Sequence, residues 1–175
     1  MSHLVINKLV PGAHRTPLQQ MMIHPRLKRL ERLFFSSPVY FITFCAKDRK
    51  LILDSQKFHQ SFVEFSVNAS TKHFFVGRYL IMPDHVHFFL SVSTESIFLS
   101  VWIKSLKNFL SKSLKVQGIP PPHWQKGFFD HVMRTEESYS EKWNYVILNP
   151  VRAGLSESPS DWPYQGEINP IRFSE

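Results

Sequence analysis

The stretch Tyr79-Leu80-Ile81-Met82-Pro83-Asp84-His85-Val86-His87-Phe88-Phe89-Leu90 decides how this chain is read. Aromatic and β-branched residues lie on both sides of a Pro-Asp break, so His73–Ile81 and His85–Val92 read as two strands of a hairpin. Alternate residues of a strand point to one face, so His85 and His87 project the same way. Two imidazoles on one face can hold a divalent metal. A pair of core histidines with satisfied ring nitrogens is the structural alternative.

Two other His-x-His architectures fail on the surrounding sequence. A cupin site wants a Glu a few residues on and glycine-bounded repeats, yet the next acid is Glu95 and the next glycine Gly118. An amidohydrolase barrel needs far more chain than 175 residues.

Working outward, Pro38–Ala46 reads as a first strand, aromatic and bounded by Pro38. Ser55 is a plausible N-cap for a helix to about Asn68, with Phe58, Phe62 and Phe65 at helical spacing. Residues 100–116 form an amphipathic helix ended by Gly118. On its wheel Lys104, Lys107, Lys112 and Lys115 cluster on one side, opposite Trp102, Leu106, Phe109, Leu110 and Leu114. A lysine stripe of this kind is either a solvated face or a phosphate-binding one. Trp124–Arg134 reads as a fourth strand with its entry loop. Thr135 or Ser138 then caps a helix to about Leu148, with Glu136 and Glu137 in the first turn. The order β-α-β-β-α-β-α implies an α+β fold, an antiparallel sheet with helices packed on one face.

In the last helix Trp143, Val146, Ile147 and Pro150 form the core stripe. Tyr145 and Asn149, four residues apart, fall on the opposite side. A half-exposed surface tyrosine is the plain reading; a nucleophilic hydroxyl is the functional one.

Composition narrows the partners. Lys and Arg number 21 against 14 Asp and Glu, giving +7, and a basic small domain points to a polyanion, nucleic acid first. A small-molecule substrate is disfavoured by that charge. The single Cys45 excludes an internal disulfide and reads as packing. No apolar run is long enough for a membrane span, and the N-terminus carries no signal-type apolar run, so a cytoplasmic, nucleoid-associated protein is expected. Residues 1–24 read as irregular, either an arm or an extension ahead of a start near Met21. Arg26, Lys28, Arg29 and Arg32, with Leu27, Leu30 and Phe34 at helical spacing, read as a basic helix or arm. The expected organisation is a basic arm over 1–35, one domain over 36–165 and a tail over 166–175.

Met82-Pro83-Asp84-His85-Val86-His87 and Tyr145-Val146-Ile147-Leu148-Asn149-Pro150-Val151-Arg152-Ala153-Gly154-Leu155 together resemble the two signatures of the single-tyrosine HUH transposases. Asn149–Leu155 and Trp124-Gln125-Lys126-Gly127-Phe128-Phe129-Asp130-His131 make the REP-associated tyrosine transposases the nearer resemblance. The likeness covers roughly residues 38–165. Trp162-Pro163-Tyr164 is similar to the aromatic-proline element after the catalytic helix, but the small polar residues expected next are missing.

That resemblance implies a ferredoxin-like sheet carrying the His pair on a central strand. It implies cleavage and joining of hairpin-bearing single-stranded DNA, with Tyr145 as nucleophile. His85, His87 and Asn149 would bind the metal, Mg2+ or Mn2+. Arg26, Lys28, Arg29, Arg32, Lys104, Lys107, Lys112, Lys115, Lys126 and Arg152 then read as phosphate contacts. Relatives of the REP-associated type are expected to act as monomers rather than as the homodimers of other members. A catalytically silent, domesticated hairpin-binding protein is the alternative, although such a protein has no need of His, His, Tyr and Asn together.

Overall fold

The computed structural model describes residues 38–93 and 98–173. They run in the order β1 (Val39–Cys45), α1 (Gln56–Ala69), β2 (Phe74–Met82), β3 (His85–Val92), α2 (Leu99–Val116), β4 (Phe129–Met133), α3 (Glu136–Val146), α4 (Asn149–Arg152) and β5 (Gln165–Glu167). The strands form one sheet in the order β4-β1-β3-β2-β5, each pair antiparallel. The first four strands with α1 and α2 give the ferredoxin-like arrangement expected. Arg26, Lys28, Arg29 and Arg32 lie outside the described residues.

The local signals behave as the chemistry requires. The Ser55 hydroxyl accepts from Phe58 N at the start of α1. At α3 both candidate caps are used: Thr135 is the N-cap, and it and Ser138 satisfy each other's backbone N–H groups. Gly118 takes a left-handed φ of 79° just beyond α2.

The sheet has two unlike faces. Tyr40, Ile42 and Phe44 of β1 point to one, where Phe58, Phe62 and Phe88 are fully or almost fully buried and Trp102 stacks on Phe74 at 5.2 Å. That face carries α1 and α2. Val39 and Phe41 point to the other, in a cluster with Leu80, Met82, Phe89, Met133, Tyr139, Val146 and Trp162. The helices therefore divide: the two connecting helices pack on one face, as expected, and α3 packs on the other.

Three boundaries differ from the sequence reading. The fourth strand is short, since Trp124 makes only an isolated bridge to Ala46 and regular pairing begins at Phe129. α3 stops at Val146, because Pro150 has no N–H to donate to the Val146 carbonyl, and a new short helix starts at Asn149. Gly166 and Glu167, on the tail side of the expected boundary, belong to the sheet as part of β5. Gln165 pairs with Leu80, Ile168 N donates to Gly77 O and Asn169 N to Val76 O. A bulge at Gly77–Arg78, opposite Phe89, bends β2 where this segment lies.

The aromatic-proline element anchors that return. Trp162 is buried, and its indole N–H donates to Ile81 O at 2.8 Å. Ile81 N in turn donates to Tyr164 O at 2.8 Å. Trp162→Phe keeps most of the apolar contact but strands the Ile81 carbonyl, so we expect a loss of about 1–3 kcal/mol in urea unfolding.

Candidate functional site

The Pro83–Asp84 turn fixes where the histidines sit. Ile52 N and Leu53 N both donate to Pro83 O, and Ala46 N donates to Asp84 O. His85 is thereby the first residue of β3, paired with Cys45, and His87 is paired with Thr43. Paired residues share a face, so both rings stand on the α3 side of the sheet, 4.6 Å apart between centroids.

Each ring is gripped at Nδ1. Asp84 Oδ1 lies 2.5 Å from His85 Nδ1, and Thr43 Oγ1 lies 2.7 Å from His87 Nδ1. With the proton on Nδ1, each imidazole donates to its oxygen partner and keeps the Nε2 lone pair for a ligand. Arg49 braces this shell: its Nε is 2.6 Å from Asp84 Oδ2, and its Nη1 donates to Cys45 Sγ at 2.9 Å. Burial pushes His87 down to about 3, helped by the charges of His85, Arg49 and Lys142. Burial also lowers His85, partly offset by its hydrogen bond to Asp84. Both rings are thus neutral at physiological pH, the form a metal needs. Phe41 stacks on His87 at 5.4 Å, and the Lys142 ammonium lies 5.5 Å from the Phe41 ring.

The two imidazoles fit a divalent ion, but they do not complete its shell. Among the described residues no three His, Cys, Asp or Glu side chains are grouped to hold a metal. The remaining ligands would be oxygens, from an amide, a phosphate or water.

α3 is docked by Tyr139, whose ring is 4.1 Å from Phe89, by Trp143 and by buried Val146. Tyr145 falls off that stripe, as its helical position requires, and is 63% exposed. Arg152 lies over the Tyr145 ring at 4.3 Å. Its Nη1 donates to Tyr145 O at 2.7 Å and to Asn149 Oδ1 at 3.3 Å. Tyr145, Asn149 and Arg152 therefore form one unit across the α3–α4 break.

The other basic residues separate by position. Lys107 is a correction: it is buried, not part of a solvated stripe. Its Nζ donates to Gly127 O at 2.6 Å and Gln125 O at 3.2 Å, and lies 5.4 Å from the Phe44 ring. It ties the 125–127 loop to α2. Lys104, Lys112 and Lys115 are exposed on α2, which packs on the sheet face away from the histidines. Lys126 is exposed beside β4. Trp124 is structural: its indole N–H donates to Lys107 O and Ser111 Oγ, and its ring packs on Phe44. Thr43, Asp84, Arg49 and Lys142 are site residues that sequence reasoning missed. Asp84 alone had a local signal, as the neighbour of His85.

The family model described as "Transposase IS200 like" matches residues 35–146. A REP-associated tyrosine transposase of Escherichia coli K12 is 21% identical over 139 residues, covering 79% of this chain and 81% of that protein. A Haemophilus influenzae protein provisionally given the same name is 22% identical over 152 residues, covering 79% and 84%. Among solved structures, a REP-associated tyrosine transposase bound to a REP hairpin aligns with a TM-score of 0.59 at 20% identity, covering 77% of this chain and 79% of that one.

Two outcomes follow from the geometry. Thr43→Val removes the partner of His87 Nδ1 with little change in volume. It should weaken Mn2+ binding by about 10- to 100-fold in calorimetric titration while the melting temperature moves little. In the metal-free protein, His87 is held below its ordinary value of 6.5, so between about 3 and 6.5 the unfolded chain binds a proton that the folded chain does not. Stability should therefore fall as pH drops below 6.5, and His87→Gln should flatten that fall in unfolding measured across pH.

Proposed function

The chain belongs to the IS200-like transposase family, and from that membership we propose that it cleaves and rejoins hairpin-bearing single-stranded DNA through a covalent link to Tyr145. The observation that carries this reading is the His85–His87 pair, each ring held at Nδ1 with Nε2 free, on the sheet face that α3 crosses. Hairpin DNA as the partner is supported by the relative solved with a REP hairpin and by the +7 charge.

In the proposed reaction the Tyr145 hydroxyl oxygen attacks a backbone phosphorus. The new bond is Oη–P, the P–O3′ bond breaks, the phenolic proton is lost, and the departing strand keeps a 3′-hydroxyl. The result is a 5′-phosphotyrosine, which conserves the phosphodiester for rejoining: an incoming 3′-hydroxyl attacks the same phosphorus and releases Tyr145. A neutral phenol is a weak nucleophile, so the site must supply positioning and charge.

His85 and His87, with the Asn149 amide oxygen, would hold Mg2+ or Mn2+, which when bound neutralises charge on the scissile phosphate. Asp84 and Thr43 hold the imidazole tautomers. Arg152 holds Tyr145 and Asn149 in mutual register. Lys142 and Arg49 bring positive charge to the same face. Lys104, Lys112 and Lys115, on the far side of the sheet, are left to contact a hairpin stem rather than the cleaved phosphate. We take the monomer, acting on nucleoid DNA, as the working unit.

The test is a covalent-adduct gel, with labelled hairpin DNA from the flanks of the chain's own gene and Mn2+ or Mg2+. Label should shift to protein mass with the wild type and not with Tyr145→Phe, which should still bind the hairpin. Wild-type cleavage by Tyr145→Phe overturns the nucleophile assignment. Hairpin binding without any adduct favours the silent, domesticated reading instead. Affinity should drop steeply with salt in either DNA-binding case.

A further inference from the structure

We propose that Phe129 and His131 of β4 form a two-ring slot that takes one unpaired base of the DNA strand crossing the histidine face. The inference rests on the single-stranded-DNA reading above and adds to it a place for the base. Register puts the slot beside the reactive groups. Thr43 of β1 pairs with His87 on one side and with Phe129 on the other, and Phe41 pairs with Phe89 and with His131. Directly paired residues stand on the same face. The hydrogen bond between Thr43 and His87 fixes which face that is. Phe129 and His131 are thus on the histidine side, two strands away, roughly 9–10 Å at ordinary strand spacing. A nucleotide or two spans that distance.

Both rings are open to solvent. Phe129 is 59% exposed, whereas Phe44, Phe58, Phe62, Phe74, Phe88 and Phe89 are buried to within 1%. His131 is also exposed, and β4 is the outer strand of the sheet. One exposed aromatic on a surface needs no explanation. Two rings at i and i+2 on one face of an edge strand are a different matter. Their spacing is about 6.6–6.8 Å, or two stacking intervals of a base. Positive charge surrounds the slot: Lys142 sits over Phe41, the strand partner of His131, and exposed Lys126 and Arg134 flank β4. A base between the rings would leave its phosphates among these cations, the pairing of stacking platform and basic track used to hold single strands.

The test uses the full chain and a hairpin oligonucleotide with unpaired thymidine flanks, 2-aminopurine replacing one flank base at a time. Wild type should quench one flank position. Phe129→Leu keeps apolar bulk without a π face. It should lose that quench and bind the flanked hairpin roughly five- to a hundredfold more weakly, with unchanged affinity for the blunt hairpin and unchanged melting. Phe129→Trp and His131→Phe should restore or keep both. Wild-type quench and affinity in Phe129→Leu overturns the slot. Adduct formation by wild type with no quenched position also overturns the slot and leaves the transposase reading standing. A wild type that neither binds the hairpin nor forms the adduct overturns that reading, and the slot with it.

Discussion

The pairing of Thr43 with His87 across β1 and β3 is the constraint on which the rest depends. Side chains alternate along a strand, so a slip of one residue would turn both histidines into the aromatic core under α1 and α2. It would also bring Phe88 to the face now crossed by α3. The register is held from both ends. Large apolar residues at Ile42, Phe44, Phe88 and Leu90 tolerate only one side, and the Pro83–Asp84 turn is clamped by backbone donors from Ala46, Ile52 and Leu53.

The two faces of the sheet are covered differently. One face stacks aromatic rings with α1 and α2 and carries most of the buried apolar side chains among the described residues. The other is apolar only where α3 and the Trp162 segment cover it, and polar where the histidines emerge. Lys107 shows how strictly the boundary is kept. Its ammonium is satisfied by two loop carbonyls and lies 5.4 Å from the Phe44 ring, so a cation serves the aromatic side of the sheet without reaching the histidine side.

Much of this was legible in the sequence, because strand and helix periods are local. The β-α-β-β-α-β-α order, the Ser55 and Thr135 caps, and the outward Tyr145 all follow from spacing. What escaped depended on partners far along the chain. Thr43 and Arg49 acquire roles only through the strand pairing and the turn that bring them to His87 and Asp84. Lys107 stood in the open to misreading, since on the α2 wheel it is only about 20° from Leu114, which is fully buried. β5 has three residues and no period to detect, so its place is decided by Trp162 docking rather than by its own composition. The sequence pattern carries α3 two residues too far, to Leu148, because the carbonyl that Pro150 leaves without a donor is Val146 O, four residues earlier.

α3 is fastened through Tyr139, Trp143 and Val146, none of which touches an imidazole nitrogen, while the histidines are fastened through Thr43 and Asp84. The fastening of α3 and the fastening of the two imidazoles are therefore independent of each other. A descendant could exchange His85 and still keep its sheet, its α3 dock and its basic surface. On the proposed reading, one substitution at His85 would end the chemistry and keep the folded surface, and the aromatic core under α1 and α2 would not record the change.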